Sequence, residues 1–185
     1  MFITFYTMPE KTVAIPEGVD VTVAKNRVVV KGPKGELSRP CNRHVTIKKR
    51  DSAVVISTDS ERRTIKALAG TWKAHLTNMI IGVTKGYEVN MRIVYSHFPI
   101  KFSVKDSMIM IENFLGERSA RTTHFIEGVE IKSDKDTVTI TGIDKEKVGQ
   151  AAANIELTAK VTGFDRRVFQ DGIYVVEKTH PTEEA

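Results

Sequence analysis

Cysteine is nearly absent: Cys41 is the only one in 185 residues. No internal disulfide can form, nor any cysteine-rich metal site, a usage that fits a reducing compartment. Cys41 follows Pro40 between strands and reads as a small buried hydrophobe rather than a nucleophile. The histidines, at 44, 75, 97, 124 and 180, include no pair at the i, i+3 or i+4 spacing of a metal-binding helix. No Gly-x-Ser-x-Gly elbow occurs. Gly32-Pro33-Lys34-Gly35 lacks both the Walker spacing and a following helix, so it is a turn and not a phosphate loop. Asp134 and Asp136 flank Lys135 in a hairpin, where solvated turn acids explain them better than a catalytic pair does. These absences argue against an enzyme and call for no cofactor and no metal.

Long apolar runs are missing too. None approaches the roughly 20 residues a membrane helix needs. Met1 to Thr7 is apolar but lacks basic flanks and is too short for a signal peptide. It reads as a loose extension, with Met8 as an alternative start.

What the chain does have is a second copy of itself. An 81-residue shift lays Val19–Val23 over Ile100–Val104, Val28–Val30 over Ile109–Ile111, and Gly35-Glu36 over Gly116-Glu117. After three inserted residues the shift is 84, and Val45, Ile47, Val54 and Ile56 meet Val129, Ile131, Val138 and Ile140. This period exceeds the roughly 20–50 residues of a solenoid repeat. A duplicated small domain remains: an α+β fold, a tandem duplication of an antiparallel sheet-plus-helix unit. The expected copies span 8–86 and 87–178, with loose termini at 1–7 and 179–185.

Alternation and β-branched runs predict strands at 19–23, 27–31, from Leu37, at 44–48 and at 53–57. Arg50-Asp51-Ser52 is the last turn. The period then becomes helical through Ile65, Leu68, Trp72, Leu76 and Met79, with Asp59 or Ser60 as N-cap and Gly82 as stop. The second copy predicts strands at 100–105, 108–113, 117–121, 128–132 and 137–141. Its helix is capped by Asp144 and turns Val148, Ala151, Ala152 and Ile155 inward. By position, Trp72 falls opposite Glu156, which implies a rotated or less deeply covered second helix. Tyr87 to Ile100 joins the copies and is too rich in Val, Ile and Tyr for a flexible linker.

The net charge of +5 points to a polyanionic partner. Residues 1–90 carry 15 Lys/Arg against 8 Asp/Glu, while residues 91–185 carry 13 against 15. Contact by the second copy must therefore use local clusters. Lys48-Lys49-Arg50 and Arg62-Arg63 sit at strand and helix ends of the first copy. Arg118 and Arg121 follow the Asn113–Gly116 turn, Lys160 lies beyond the second helix, and Arg166-Arg167 precede Phe169. Basic loop tips beside an aromatic suit an RNA backbone and exposed bases.

The phrases Ile15-Pro16-Glu17-Gly18-Val19, VKGPKGEL at 30–37, MRIVYSHFPI at 91–100, NFLGER at 113–118 and FQDGIYVVEK at 169–178 resemble the large-subunit ribosomal protein family numbered six in bacteria and nine in eukaryotes. NFLGE and HFPI are closer to its eukaryotic–archaeal branch. The match runs through nearly the whole chain, in order. It departs in a short basic segment at 48–53 and in a run at 160–167 with less lysine than usual.

That resemblance implies two tandem sheet-plus-helix copies and a structural, non-catalytic role on the cytoplasmic large ribosomal subunit. It implies binding of large-subunit rRNA near the sarcin–ricin loop and stalk base, with neighbouring ribosomal proteins in contact and translational GTPases docking nearby. Nucleolar assembly is expected for a eukaryotic member. Candidate rRNA contacts are Arg62, Arg63, Lys73, Arg92, His97, Asn113, Arg118, Arg121, Lys160, Arg166 and Arg167, most of them in loops of the second copy. Two other readings compete: a free RNA chaperone or processing factor, and a small nucleic-acid hydrolase, which lacks the acid cluster or histidine pair it would need.

Overall fold

A computed structural model describes residues 10–24, 27–50, 52–60, 62–105 and 108–182. The extension at 1–7, Asp51 of the expected turn and the last three residues lie outside them. The chain forms two units, Met1–Lys85 and Gly86–Ala185.

The first unit has two three-stranded antiparallel sheets and one helix. β1 (Lys11–Ala14), β6 (Ala53–Thr58) and β5 (Val45–Arg50) make one sheet in the order β1-β6-β5. β2 (Asp20–Ala24), β3 (Arg27–Gly32) and β4 (Gly35–Pro40) make the other. Strand alternation drives Val28 and Val30 inward, with Val21, Val45, Ile47, Val54 and Ile56 around them. Helix α1 (Arg63–Thr84) covers this core with Trp72, Leu76, Met79, Ile80 and Val83. β1 escapes sequence detection because four residues, KTVA, are too short for a periodic signal.

The ends of α1 differ from expectation. Arg62 holds the N-cap position, and no side chain caps the helix. Gly82 is buried inside the helix, which runs two residues further. The chain turns at Gly86, whose φ of 80° is the left-handed conformation a side chain resists. Core burial of Val83, packed against Gly32, keeps the last turn helical.

In the second unit, β8 (Lys101–Lys105), β9 (Met108–Glu112) and β10 (Arg121–His124) form a three-stranded sheet. The main sheet runs β11-β12-β7-β13, from β7 (Tyr87–Val94), β11 (Val129–Ser133), β12 (Thr137–Gly142) and β13 (Gly172–Pro181). The expected connector between copies is thus mostly β7, an inner strand with Tyr87, Val89, Met91 and Ile93 buried. Residues 179–181, expected to be a loose terminus, continue β13 and pair along β7 as far as Pro181↔Tyr87. Helix α2 (Lys145–Thr158) starts as expected: Asp144 Oδ1 accepts the Glu146 N–H at 2.9 Å.

The duplication is visible in strand register. Asp20 pairs with Lys31 and, 81 residues on, Lys101 pairs with Glu112. Val45 pairs with Thr58 and, 84 on, Val129 pairs with Gly142. Val30 faces Leu37, whereas Ile111 faces Arg121. The three extra residues therefore lie in the β9–β10 connection. This overturns the pairing of Gly35-Glu36 with Gly116-Glu117, and it moves the strand expected at 117–121 to begin at Arg121. Helix burial shifts as well. The buried Val148, Ala151, Ala152 and Ile155 take the places of the half-buried Ile65 and Leu68 and the buried Ala69 and Trp72, so Ile155 replaces Trp72 and Glu156 is exposed.

Candidate nucleic-acid interface

Three loops of the second unit are tied together. They are 95–99 after β7, 113–118 between β9 and β10, and 163–170 before β13. Asn113 Nδ2 donates to the Pro99 carbonyl at 3.1 Å. The Phe98 ring lies 3.3 Å from where a Cβ on Gly116 would stand, and Gly116 has a φ of 76°. The His97 ring meets Phe169 at 5.6 Å between centroids, and Phe169 meets Phe164 at 5.0 Å. Beneath them, the buried Asp171 carboxylate accepts the Ser96 N–H through Oδ1.

The resulting surface mixes rings and cations. Phe164 is 53% exposed and Val168 61%, with Tyr95 and Phe98 also open to solvent. Apolar groups gathered on one set of loops mark an interaction site where singly scattered ones would not. Arg118, Lys160, Arg166 and Arg167 are exposed and form no ion pair among the described residues. Asp165 shapes the arginine loop: its Oδ1 accepts the Arg167 N–H at 3.0 Å, and its carbonyl accepts the Val168 and Phe169 N–H groups. Lys160 and Arg166 both line a cleft of about 430 Å³ with Leu157, Val161 and Tyr174.

Arg121 is placed differently from the other candidates. Its guanidinium grips both oxygens of Glu117, at 2.6 and 2.9 Å. It also donates to the carbonyls of Thr158 and Lys160, at 3.0 and 2.8 Å, and sits 4.2 Å over the Phe114 ring. Those carbonyls close the C-terminal end of α2, where a cation is favoured. Arg121 is spent inside the unit, joining the 113–118 loop to the end of α2, and it has little left for an external phosphate. The same hydrogen bond holds the Glu117 carboxyl below its ordinary range.

The remaining candidates are spread out. Arg92 is exposed on β7 opposite Tyr174 and Thr137. Arg62, at the N-cap position of α1, and Arg63 and Lys73, within that helix, are exposed. Lys49 pairs with Asp20 at 2.7 Å, while Lys48 and Arg50 stay open to solvent. Sequence reasoning did not single out Tyr95, Phe98 or Phe164. The aromatics at both ends of the basic stretch FDRRVF were the available signal, and of the two Phe164 is the exposed one. Asp171 had none, because its burial depends on strands far apart in the chain.

No metal-holding cluster of His, Cys, Asp and Glu exists among the described residues. Cys41 packs beside the first core, its Sγ donating to the Val45 carbonyl at 3.5 Å, and burial pushes its thiol pKa up. An inert thiol is the expected result.

The family model described as ribosomal protein L6 matches residues 15–86 and 98–172, one match in each unit. The large ribosomal subunit protein uL6 of Methanothrix thermoacetophila is 50% identical over 165 residues, covering 89% of this chain and 94% of the relative. Its counterpart in Methanobrevibacter smithii is 48% identical over 167 residues, covering 90% and 94%. That of Methanosarcina mazei is 43% identical over 169 residues, covering 91% and 96%. The relatives are named as ribosomal proteins and not as enzymes, and both copies of the repeat match in order: the chain belongs to the ribosomal protein L6 family.

Proposed function

We propose that this chain is a structural protein of the large ribosomal subunit, which it joins by binding rRNA chiefly through the three-loop end of its second unit. The observation that carries the proposal is the joining of exposed rings to exposed cations on one set of interlocked loops. Arginines neutralise phosphates, and Phe164 and its neighbours offer faces on which unpaired bases stack. Arg118, Lys160, Arg166 and Arg167 are the contacts we assign, with His97 and Asn113 holding the loops in place. Arg121 positions them from within.

Membership of the family supports a finer reading. The chain would sit near the sarcin–ricin loop and stalk base, beside other large-subunit proteins and the docking place of translational GTPases. It would act as a brace in the cytoplasmic ribosome and catalyse nothing. Nucleolar assembly would apply only to a eukaryotic source, and the relatives above are archaeal.

Chemical footprinting tests the placement. Large subunits reconstituted with and without the protein are probed for nucleotide reactivity. Protection in or beside the sarcin–ricin loop is the expected result; protection confined to other rRNA domains would refute the placement.

A further inference from the structure

Helix α1 is electrostatically incomplete where α2 is not. Asp144 caps α2 and Glu146 lies in its first turn, both suited to the positive end of the helix dipole. At the start of α1 stand Arg62, Arg63 and Lys66, with no acid in the first turn and no side-chain cap. Three cations thus stand at a helix end that favours an anion, with Asp59 and Glu61 preceding them in the sequence.

The positive surface extends along the helix. Lys66 and Lys73 are exposed on one flank with Gly70 between them. Lys11 of β1 reaches over to the same place, its Nζ 3.0 Å from where a Cβ on Gly70 would lie. The 22 residues of α1 include no Asp or Glu. None of these five cations forms an ion pair among the described residues. Beside them Ala67 and Ala74 are exposed and small, so a polyanion can come close to the helix.

We infer that this face of α1 is a second RNA-binding surface, separate from the loops of the second unit, which follows the sugar–phosphate backbone of base-paired RNA without reading bases. Among its described residues the first unit exposes no Phe, Tyr or Trp on which a base could stack. Trp72 is the only Phe, Tyr or Trp between residues 10 and 85, and it is buried. Cations without exposed rings suit a duplex exterior, whereas the second unit has both. The inference does not depend on where the second unit docks.

The test uses the full chain and a loop-free RNA duplex of 20 base pairs, titrated between about 50 and 200 mM salt. Arg63→Gln/Lys66→Gln/Lys73→Gln removes three cations and should flatten the slope of log K against log salt by about 2.7. Across that range the wild type should then lose about 40-fold more affinity than the variant. Ala67→Glu/Ala74→Glu leaves every cation in place, adds acids at exposed helix positions, and should also weaken duplex binding, which covers the case of a misfolded triple variant. A single-stranded RNA titrated in parallel reads the second unit, where Phe164→Ala should weaken binding, so failure of the second-unit reading shows separately. An unchanged slope in a folded triple variant would overturn the inference. So would an unchanged slope accompanied by loss of an acidic neighbouring protein from assembled subunits, which would assign the face to that protein.

Discussion

Replacing Arg121 with Met should destabilise the second unit and change its RNA affinity only through the loops it supports. Methionine keeps much of the apolar stem and removes the guanidinium. The lost interactions are the two bonds to Glu117, the two bonds to the Thr158 and Lys160 carbonyls, and the cation over Phe114. Hydrogen bonds to a charged group contribute about 1.5–3 kcal/mol each, but Glu117 is 37% exposed and water replaces part of its share. A net loss of about 2–3 kcal/mol follows, since the Arg121 side chain is only 20% exposed. With an m-value of about 1.5 kcal/mol per M, the urea midpoint of this unit should fall by about 1–2 M. Acid titration adds an independent check. The folded Glu117 carboxyl lies below its ordinary value of 4.5, so its contribution is complete above that value and is lost as pH falls through the lower folded one. In Arg121→Met that part of the acid destabilisation should vanish. A variant that unfolds at the wild-type midpoint yet loses RNA binding as severely as an Arg166 variant would refute the positioning role and restore Arg121 as a direct contact.

Trp72→Ala should cost about 3–5 kcal/mol in chemical denaturation, since it empties the centre of the first core. Gly142→Ala places a Cβ 2.8 Å from Val148 Cγ2 and 3.2 Å from the Gly128 carbonyl, and should destabilise the second unit by about 1–3 kcal/mol. Phe164→Ala should leave the thermal midpoint within error, because Phe164 is more than half exposed, while weakening binding to RNA with unpaired bases by roughly 5- to 150-fold, the worth of one stacked base. With about five phosphate contacts, binding of rRNA fragments should follow a log K against log salt slope of roughly −3.5 to −4.5, from single-stranded to duplex RNA; a flat response would exclude backbone contact.

The duplication was legible because strand burial fixes register. Val28, Val30, Ile109 and Ile111 must face inward in both copies, so a shift of one residue would expose them all. Loop content was not constrained this way. The β9–β10 connection holds Asn113 and Leu115 at positive φ, at 57° and 50°, a local geometry no periodicity announces, so the three-residue insertion was misplaced by one strand. Gly82 misled for a related reason: in a helix it looks like a stop, and only the packing of Ile80 and Val83 into the core keeps it interior. At the site, charge was legible and partnership was not. Arg121 and Arg118 look alike in NFLGERSAR, yet one is held by four hydrogen bonds and the other is open to solvent.

Competition for assembly tests the central claim most directly. Tagged wild-type protein and Arg166→Glu/Arg167→Glu are each expressed beside the untagged chain, and lysates are sedimented to separate free protein from large subunits. Wild type should co-migrate with large subunits, the double variant should remain near the top of the gradient with a wild-type circular dichroism spectrum, and Arg62→Glu/Arg63→Glu should be impaired less. Co-migration of the Arg166/Arg167 variant at the wild-type level would contradict docking through the second unit's loops.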